Sequence, residues 1–263
     1  MRTEEISDRM KTQWAGKPIA FFEEISSTNT VAKRLGEQGA PEGTLVLADC
    51  QTVGKGRRGR AWFSPAGTGI WMTLLLRPRL APDRVSAITL VAALSVCRAI
   101  RDVTGLETGI KWPNDLVADG NKVCGILTEM SLEPGNIRYV VLGIGINVNQ
   151  TGFPDDLPYA YSLALAAERE LSREAIIARI WECFEEDYEI YLQTGDMSGL
   201  KDRYEEKLTN LGRTVQVLAP SGQWTGVAEG ISDTGDLLVR DESGALRAVN
   251  SGEVSVRGVY GYI

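Results

Sequence analysis

Between Gly54 and Arg60 the chain places four cations and three glycines in seven consecutive residues, and Trp62 follows two positions on. No Asp or Glu occurs between Asp49 and Asp83, so nothing nearby in sequence neutralises that charge. Glycines let a backbone approach a ligand closely, and clustered Lys and Arg suit phosphate or carboxylate. A solvated basic loop has the same composition; the glycine spacing and the closing Trp favour a loop that holds an anion. Gly54-Lys55-Gly56-Arg57-Arg58-Gly59 formally satisfies a dinucleotide fingerprint, but Pro65 and Gly67 follow where a helix must open. A P-loop needs Lys-Ser or Lys-Thr after its last glycine, and Arg60 follows Gly59 here.

Four further constellations offer polar chemistry. In Lys111-Trp112-Pro113-Asn114-Asp115 the proline fixes the backbone, so Lys111 can meet an anion, Asn114 donate and accept, and Asp115 take a proton or metal. An ordinary turn would look the same. Lys122-Val123-Cys124-Gly125-Ile126-Leu127 brings one Lys into an apolar strand, with Gly125 where a ligand could press on the backbone. Gly143-Ile144-Gly145-Ile146-Asn147 reads as a glycine-interrupted strand or a strand bulge. Ser26-Ser27-Thr28-Asn29 reads as a helix N-cap and a set of hydrogen-bonding side chains.

Histidine is absent, which excludes Ser-His-Asp and Cys-His nucleophiles, H-E-x-x-H sites and histidine-ligated metals. Chemistry must run on Lys, Arg, Asp, Glu, Asn and backbone dipoles, a set suited to electrostatic stabilisation of phosphoryl or acyl transfer. A net charge of -7 argues against general nucleic-acid or anionic-membrane binding. Cys50, Cys97, Cys124 and Cys183 show no C-x-x-C spacing, which fits reduced thiols in the cytoplasm rather than a disulfide framework or zinc site. Neither an apolar signal segment nor a membrane span is expected.

The elements that must position these residues alternate between strand and helix. Strands are expected at 19–22, 44–48 and 68–76, with a helix at 28–39 between the first two. Asp83 is expected to cap a helix over 84–103, ended by Gly105. Short strands at 108–112 and 116–117 precede a strand pair, 124–129 and 137–146, around Pro134-Gly135. A helical stretch is expected over 162–207, with a solvated acidic face near Glu182–Glu189. After Leu211 come β-type runs at 214–218, 225–231, 237–240, 246–249 and 253–256, separated by turn signals. The expected class is α+β, a mixed sheet with helices over residues 1–210, plus a small C-terminal β-barrel over 211–263.

In this order and spacing the five constellations resemble the biotin–protein ligases, biotin–[acetyl-CoA-carboxylase] ligases in particular, over essentially the whole chain. The resemblance extends to the terminal Gly252-Glu253-Val254-Ser255-Val256-Arg257. It implies a catalytic domain like that of class II aminoacyl-tRNA synthetases. It also implies ATP and biotin as substrates with Mg2+, biotinyl-5′-adenylate as intermediate, and a lysine of a biotin carboxyl carrier domain as acceptor. By match, Arg57 and Lys122 would hold phosphate and biotin carboxylate, with Arg58 and Arg60 at the phosphates. Asn114, Asn147 and Trp62 would serve the nucleotide. Ser27, Thr28, Asn29 and Gln51, with the backbone at Gly54, Lys55 and Gly125, would serve biotin. Lys111 and Asp115 complete the catalytic set, Asp115 orienting or deprotonating the acceptor lysine. The family more often has Arg at Lys55, and Arg and Lys differ at bidentate sites. A lipoate–protein ligase would share the chemistry but give Asn29 and Gln51 no ureido group. A biotin-sensing repressor would need a helix-turn-helix, for which about 20 residues before Phe21 leave no room. A binding module without catalysis would not need Lys111, Asp115 and Lys122 together. The form expected is therefore monofunctional, without DNA or membrane partners; a homodimer and the metal ligands are left open.

Overall fold

The computed structural model describes residues 1–219, 222–251, 255–258 and 262, with only the backbone of 255–258 described. A short helix α1 (Thr3–Arg9) precedes strand β1 (Ile19–Ile25), helix α2 (Thr28–Glu37) and strand β2 (Leu45–Gln51). Strand β3 (Gly69–Leu76) leads to helix α3 (Val85–Thr104), then β4 (Gly109–Lys111), β5 (Asp115–Ala118), β6 (Asn121–Glu133) and β7 (Asn136–Asn147). These strands form one mixed sheet in the order β1-β2-β3-β7-β6-β5-β4, parallel only at β1–β2, where α2 makes the crossover. On one face Val31 and Ala32 of α2 pack against Val46, Leu75, Tyr139 and Val141. On the other, α3 packs beside a second long helix, α5 (Arg173–Thr194), around the main core.

The alternation of strand side chains makes the α2 face a surface for chemistry. Across the sheet one register row runs Lys111, Asp115, Gly125, Gly145, Trp71 and Ala48. The next row carries Leu127, Gly143, Thr73 and Val46. Glycines on neighbouring strands thus leave a strip of bare backbone next to a Lys and an Asp. A β-bulge completes it. Leu116 pairs with Cys124 but Val117 pairs with Lys122, so Val123 is the extra residue. Without it Lys122 would face the core with Cys124; with it, Lys122 joins Asp115 on the reactive face.

Three expectations need correction. The stretch 162–207 is not one helix but α4 (Leu163–Ala167), α5 and α6 (Lys201–Glu205). Ser162 and Ser172 cap the first two through Leu165 N and Ala175 N, while left-handed Glu168 (φ 52°) and Gly195 (φ 73°) end them. The acidic run on α5 is not simply solvated. Fully buried Asp187 takes Arg98 at 2.6 Å, Ser95 Oγ at 2.9 Å and Arg203 at 3.2 Å. Glu185 accepts the backbone N–H groups of Gln13, Trp14 and Ala15, tying the N-terminal segment to α5. Nor does Asp83 cap α3. It lies within a 3-10 turn, Pro82–Arg84, and the N-cap residue Arg84 makes no side-chain cap bond.

The C-terminal runs form a five-stranded antiparallel sheet: β8 (Thr214–Ala219), β9 (Gly222–Ile231), β10 (Leu237–Asp241), β11 (Leu246–Val249) and β12 (Ser255–Gly258), in the order β11-β10-β9-β8-β12. Among the described residues its ordering is open, and no pairing closes it into a barrel. Of the turn Pro220-Ser221-Gly222 the first two residues, and of the expected run 253–256 residues Glu253 and Val254, lie outside the described residues. Val215, Val217, Ala228, Ile231, Leu237, Val239 and Val249 join the same hydrophobic core as α3 and α5. The indole Nε1–H of Trp112 donates to Gly235 O at 3.0 Å, fastening the Lys111–Asp115 segment to this sheet.

Candidate active site

A cleft opens on the α2 face, between the start of α2 and the basic loop. Ser27, Thr28, Asn29 and Gln51 line one end, Arg57, Asn114 and Lys122 the other, and Gly125, Gly143 and Gly145 the floor between. The floor must be glycine. An added Cβ would stand 2.1 Å from Asn29 Oδ1 at Gly143, 2.5 Å from Trp62 Nε1 at Gly145 and 2.8 Å from Trp62 Cζ3 at Gly125.

The basic loop folds over this floor as a small hairpin. Trp62 N–H donates to Gly54 O at 2.9 Å and Gly56 N–H to Arg60 O at 2.7 Å, with Arg58 at φ 57° and Gly59 at φ 74° making its tip. Gly54 must lack a side chain because Trp62 O would lie 2.3 Å from its Cβ. Arg57 points back into the cleft, donating to Asn114 Oδ1 at 2.8 Å and to Ser251 O at 2.5 Å. Burial lowers its pKa, the nearby Arg58 and Arg60 add to this, and Asp115 opposes it. A guanidinium stays charged regardless, so Arg57 is a partly desolvated cation at this end of the cleft that an anion would relieve. Lys55 donates to Thr30 Oγ1 at 3.0 Å, and its side chain borders the cleft.

At the same end Asp115 gathers three donors. Lys122 Nζ lies 2.5 Å and Asn114 Nδ2 3.1 Å from Oδ1, and the Tyr262 hydroxyl donates to Oδ2 at 2.6 Å. Lys111, 7% exposed, sets its ammonium 3.6 Å from the centre of the Tyr262 ring, and Tyr159 packs on that ring. Burial, then the Asp115 charge, pushes the Tyr262 phenol far above its ordinary range. The Lys122 ammonium lies 5.1 Å from the centre of the Trp62 ring, and the Trp62 indole Nε1 is buried with no hydrogen-bond partner.

Most of the residues singled out in the sequence therefore meet at one place. Lys111 and Asp115 flank the cleft beside Lys122 without lining it, and neither Arg58 nor Arg60 lines it in this conformation of the loop. Asn147 does not reach it: Nδ2 donates to Tyr161 O at 3.0 Å and Oδ1 accepts from Gln150 at 3.3 Å, at the far end of β7. Residues that the sequence reading missed include Thr73, Glu129, Ser64 and Tyr262. Strand parity with Gly125 and Leu127 could have found Glu129, and Thr73 is the one hydroxyl in the apolar run Ile70–Leu76. Tyr262 carries no local signal.

A histidine-free cationic cleft with a separate polar end fits a class of enzyme that joins a carboxylate to a nucleotide phosphate. Residues 21–147 match the Biotin/lipoate A/B protein ligase family, and residues 211–257 match the Biotin protein ligase C terminal domain. The bifunctional ligase/repressor BirA of Bacillus subtilis is 39% identical over 255 residues, covering 96% of this chain and 78% of that protein. A biotin–[acetyl-CoA-carboxylase] ligase of Mycobacterium tuberculosis is 32% identical, covering 88% of this chain and 86% of that one. The biotin protein ligase of Aquifex aeolicus, solved with biotin and ATP, superposes with a TM-score of 0.81 at 31% identity over 92% of this chain and 99% of that chain. The chain belongs to the biotin protein ligase family.

Proposed function

We propose that the polar end of the cleft takes the ureido ring of biotin and the cationic end takes its carboxylate and the ATP phosphates. The enzyme activates biotin with ATP and transfers it to a lysine of a biotin carboxyl carrier protein. In the first step a biotin carboxylate oxygen attacks the α-phosphorus, the bond to the bridging oxygen breaks, and pyrophosphate leaves. Two anions must meet, and the carboxylate is already ionised. Charge neutralisation and alignment are required, not a base. Arg57 and Lys122 supply the charge, Arg58 and Arg60 add to it when the loop turns inward, and Asn114 fixes Arg57. In the second step the acceptor amine attacks the carbonyl carbon and AMP leaves. Asp115, already holding three donors, would orient the entering ammonium and receive its proton, with Lys111 beside it. The observation that carries this reading is the register row that sets Lys111, Asp115 and the glycine floor side by side, with Lys122 added by the bulge.

No group of three or more metal-ligating side chains occurs among the described residues. Mg2+ fits as a companion of the nucleotide phosphates. We assign biotin rather than lipoate because Asn29 and Gln51 would have no ureido partner in lipoate. Residues 1–210 and 211–263 are proposed as catalytic and C-terminal units, the latter curling into a small barrel. These residues are proposed to act as a ligase and not to read DNA, because α1, ahead of the sheet, packs on α5 through buried Ile6 rather than standing free as a recognition helix. No helix among the described residues is long and apolar enough to cross a membrane, and a cytoplasmic location suits free cysteines and an ATP substrate. A carboxylase carrier domain is the proposed partner, DNA is not, and a homodimer is compatible with this reading. Mass spectrometry of the protein with biotin and MgATP, without carrier, tests the first step: biotinyl-5′-adenylate should accumulate. Its absence from folded, biotin-saturated protein would contradict the assignment.

A further inference from the structure

An amide side chain can present either its oxygen or its nitrogen to a ligand, and its other partners decide which. The Asn29 nitrogen lies 3.3 Å from Leu127 O and 2.8 Å from Glu129 Oε2. Both of those can only accept, so both Nδ2 protons are spent. Asn29 Oδ1 takes the hydroxyl of fully buried Thr73 at 2.6 Å, and Thr28 Oγ1 lies 2.8 Å from that same hydroxyl. One lone pair of Asn29 Oδ1 remains, and the oxygen sits in the space that the missing Gly143 side chain would take, 2.1 Å from where its Cβ would stand, in the lining of the cleft. Gln51 is held in the opposite sense. Its Oε1 accepts from Thr28 N at 2.8 Å and Thr28 Oγ1 at 3.1 Å, and Nε2 donates to Ser64 Oγ at 2.9 Å, leaving one proton.

Glu129 keeps this arrangement only while ionised, because a protonated acid could donate and let Asn29 turn. Lys33 Nζ lies 2.5 Å from its Oε1. Burial pushes the Glu129 pKa up, but the hydrogen bonds from Asn29 and Lys33 outweigh it and hold the carboxyl below its ordinary value.

We propose that Thr73 and Glu129 are positioning residues that fix Asn29 as an acceptor beside Gln51 as a donor, so that the cleft selects a ligand head carrying an N–H next to a carbonyl. A cyclic urea has that pattern and a dithiolane does not. The proposal rests on the biotin-ligase reading and adds to it the residues that set the polarity of its pocket.

The test compares wild type with Thr73→Val, Thr73→Ser and Glu129→Gln, using biotin and its two mono-N-methylated ureido analogues. Thr73→Val and Glu129→Gln should each raise the KM for biotin about tenfold, the scale of one lost buried hydrogen bond. The kcat at saturating biotin and the KM for ATP should stay within about twofold. Thr73→Ser should restore wild-type behaviour. Wild type should reject one methylated analogue strongly, and the two damaged variants should discriminate against it less. Unchanged biotin KM values overturn the proposal. So does a joint fall in kcat and Tm with discrimination intact, or a Thr73→Ser as damaged as Thr73→Val. A wild type that uses neither biotin nor any analogue would instead refute the biotin-ligase reading itself.

Discussion

Replacing Lys122 separates the chemistry of the cleft from its stability. Lys122→Met keeps most of the apolar stem and removes one charge. In the free protein that charge sits 2.5 Å from Asp115 Oδ1, on side chains 24% and 15% exposed. Asp115 keeps Asn114 and Tyr262 as donors after the change, so the site is not left with a bare buried carboxylate. The stability loss should be about 1.5 kcal/mol, roughly a few degrees in Tm for a chain of this size. The chemical step has no such substitute. Two unit charges about 4 Å apart interact by about 4 kcal/mol at an effective dielectric of about 20. Removing one preorganised donor from a developing oxyanion costs about 3 kcal/mol, on the order of a hundredfold in rate. Single-turnover formation of the adenylate, measured beside thermal unfolding, reads both quantities. Near wild-type adenylation with a collapsed Tm would show Lys122 to be a structural member of the Asp115 pair and not a charge aimed at the reacting groups.

Gly145→Ala should push Trp62 off the floor, because its Cβ would lie 2.5 Å from the indole nitrogen; a raised biotin KM with an intact fold is expected, and an unchanged KM would mean that the floor tolerates a methyl. Trypsin should cut at Arg57 or Arg58 quickly in the free protein and much more slowly with biotin plus ATP, because a glycine-rich loop crowded with cations is costly to order without an anion. Equal rates would leave retention of the intermediate to a preformed pocket. Asp187→Asn should lower stability by about 3 kcal/mol, the scale of breaking a buried charge pair, since Asp187 is fully buried against Arg98 and Arg203. Activity per folded molecule should stay at the wild-type level, and a loss without destabilisation would count against this reading.

What was legible in the sequence was local. Glycine and proline spacing marked the basic loop, the Lys111–Asp115 turn and the β6–β7 hairpin, and short apolar runs between turn signals placed most strands within a few residues. The register across strands was not legible. Nothing in the sequence says that Asp115 stands opposite Gly125, or that a bulge at Val123 turns Lys122 over. The acidic run on α5 misled for the same reason. Arg98 and Ser95, which hold Asp187, lie 89–92 residues back along the chain, and the backbone groups that hold Glu185 lie 170–172 back, so composition alone showed a solvated face. The break at Glu168 was invisible because a non-glycine residue takes the left-handed conformation there. Thr73 and Glu129 escaped notice because their work is done on Asn29.

The central claim is tested most directly by a purified biotin carboxyl carrier domain incubated with the protein, MgATP, and either biotin or lipoate. Intact mass and peptide mapping then locate any modification. The account predicts one biotinyl group on one lysine, dependent on ATP and absent with lipoate. A lipoyl adduct, or an unmodified carrier in the presence of folded protein and all substrates, would contradict it.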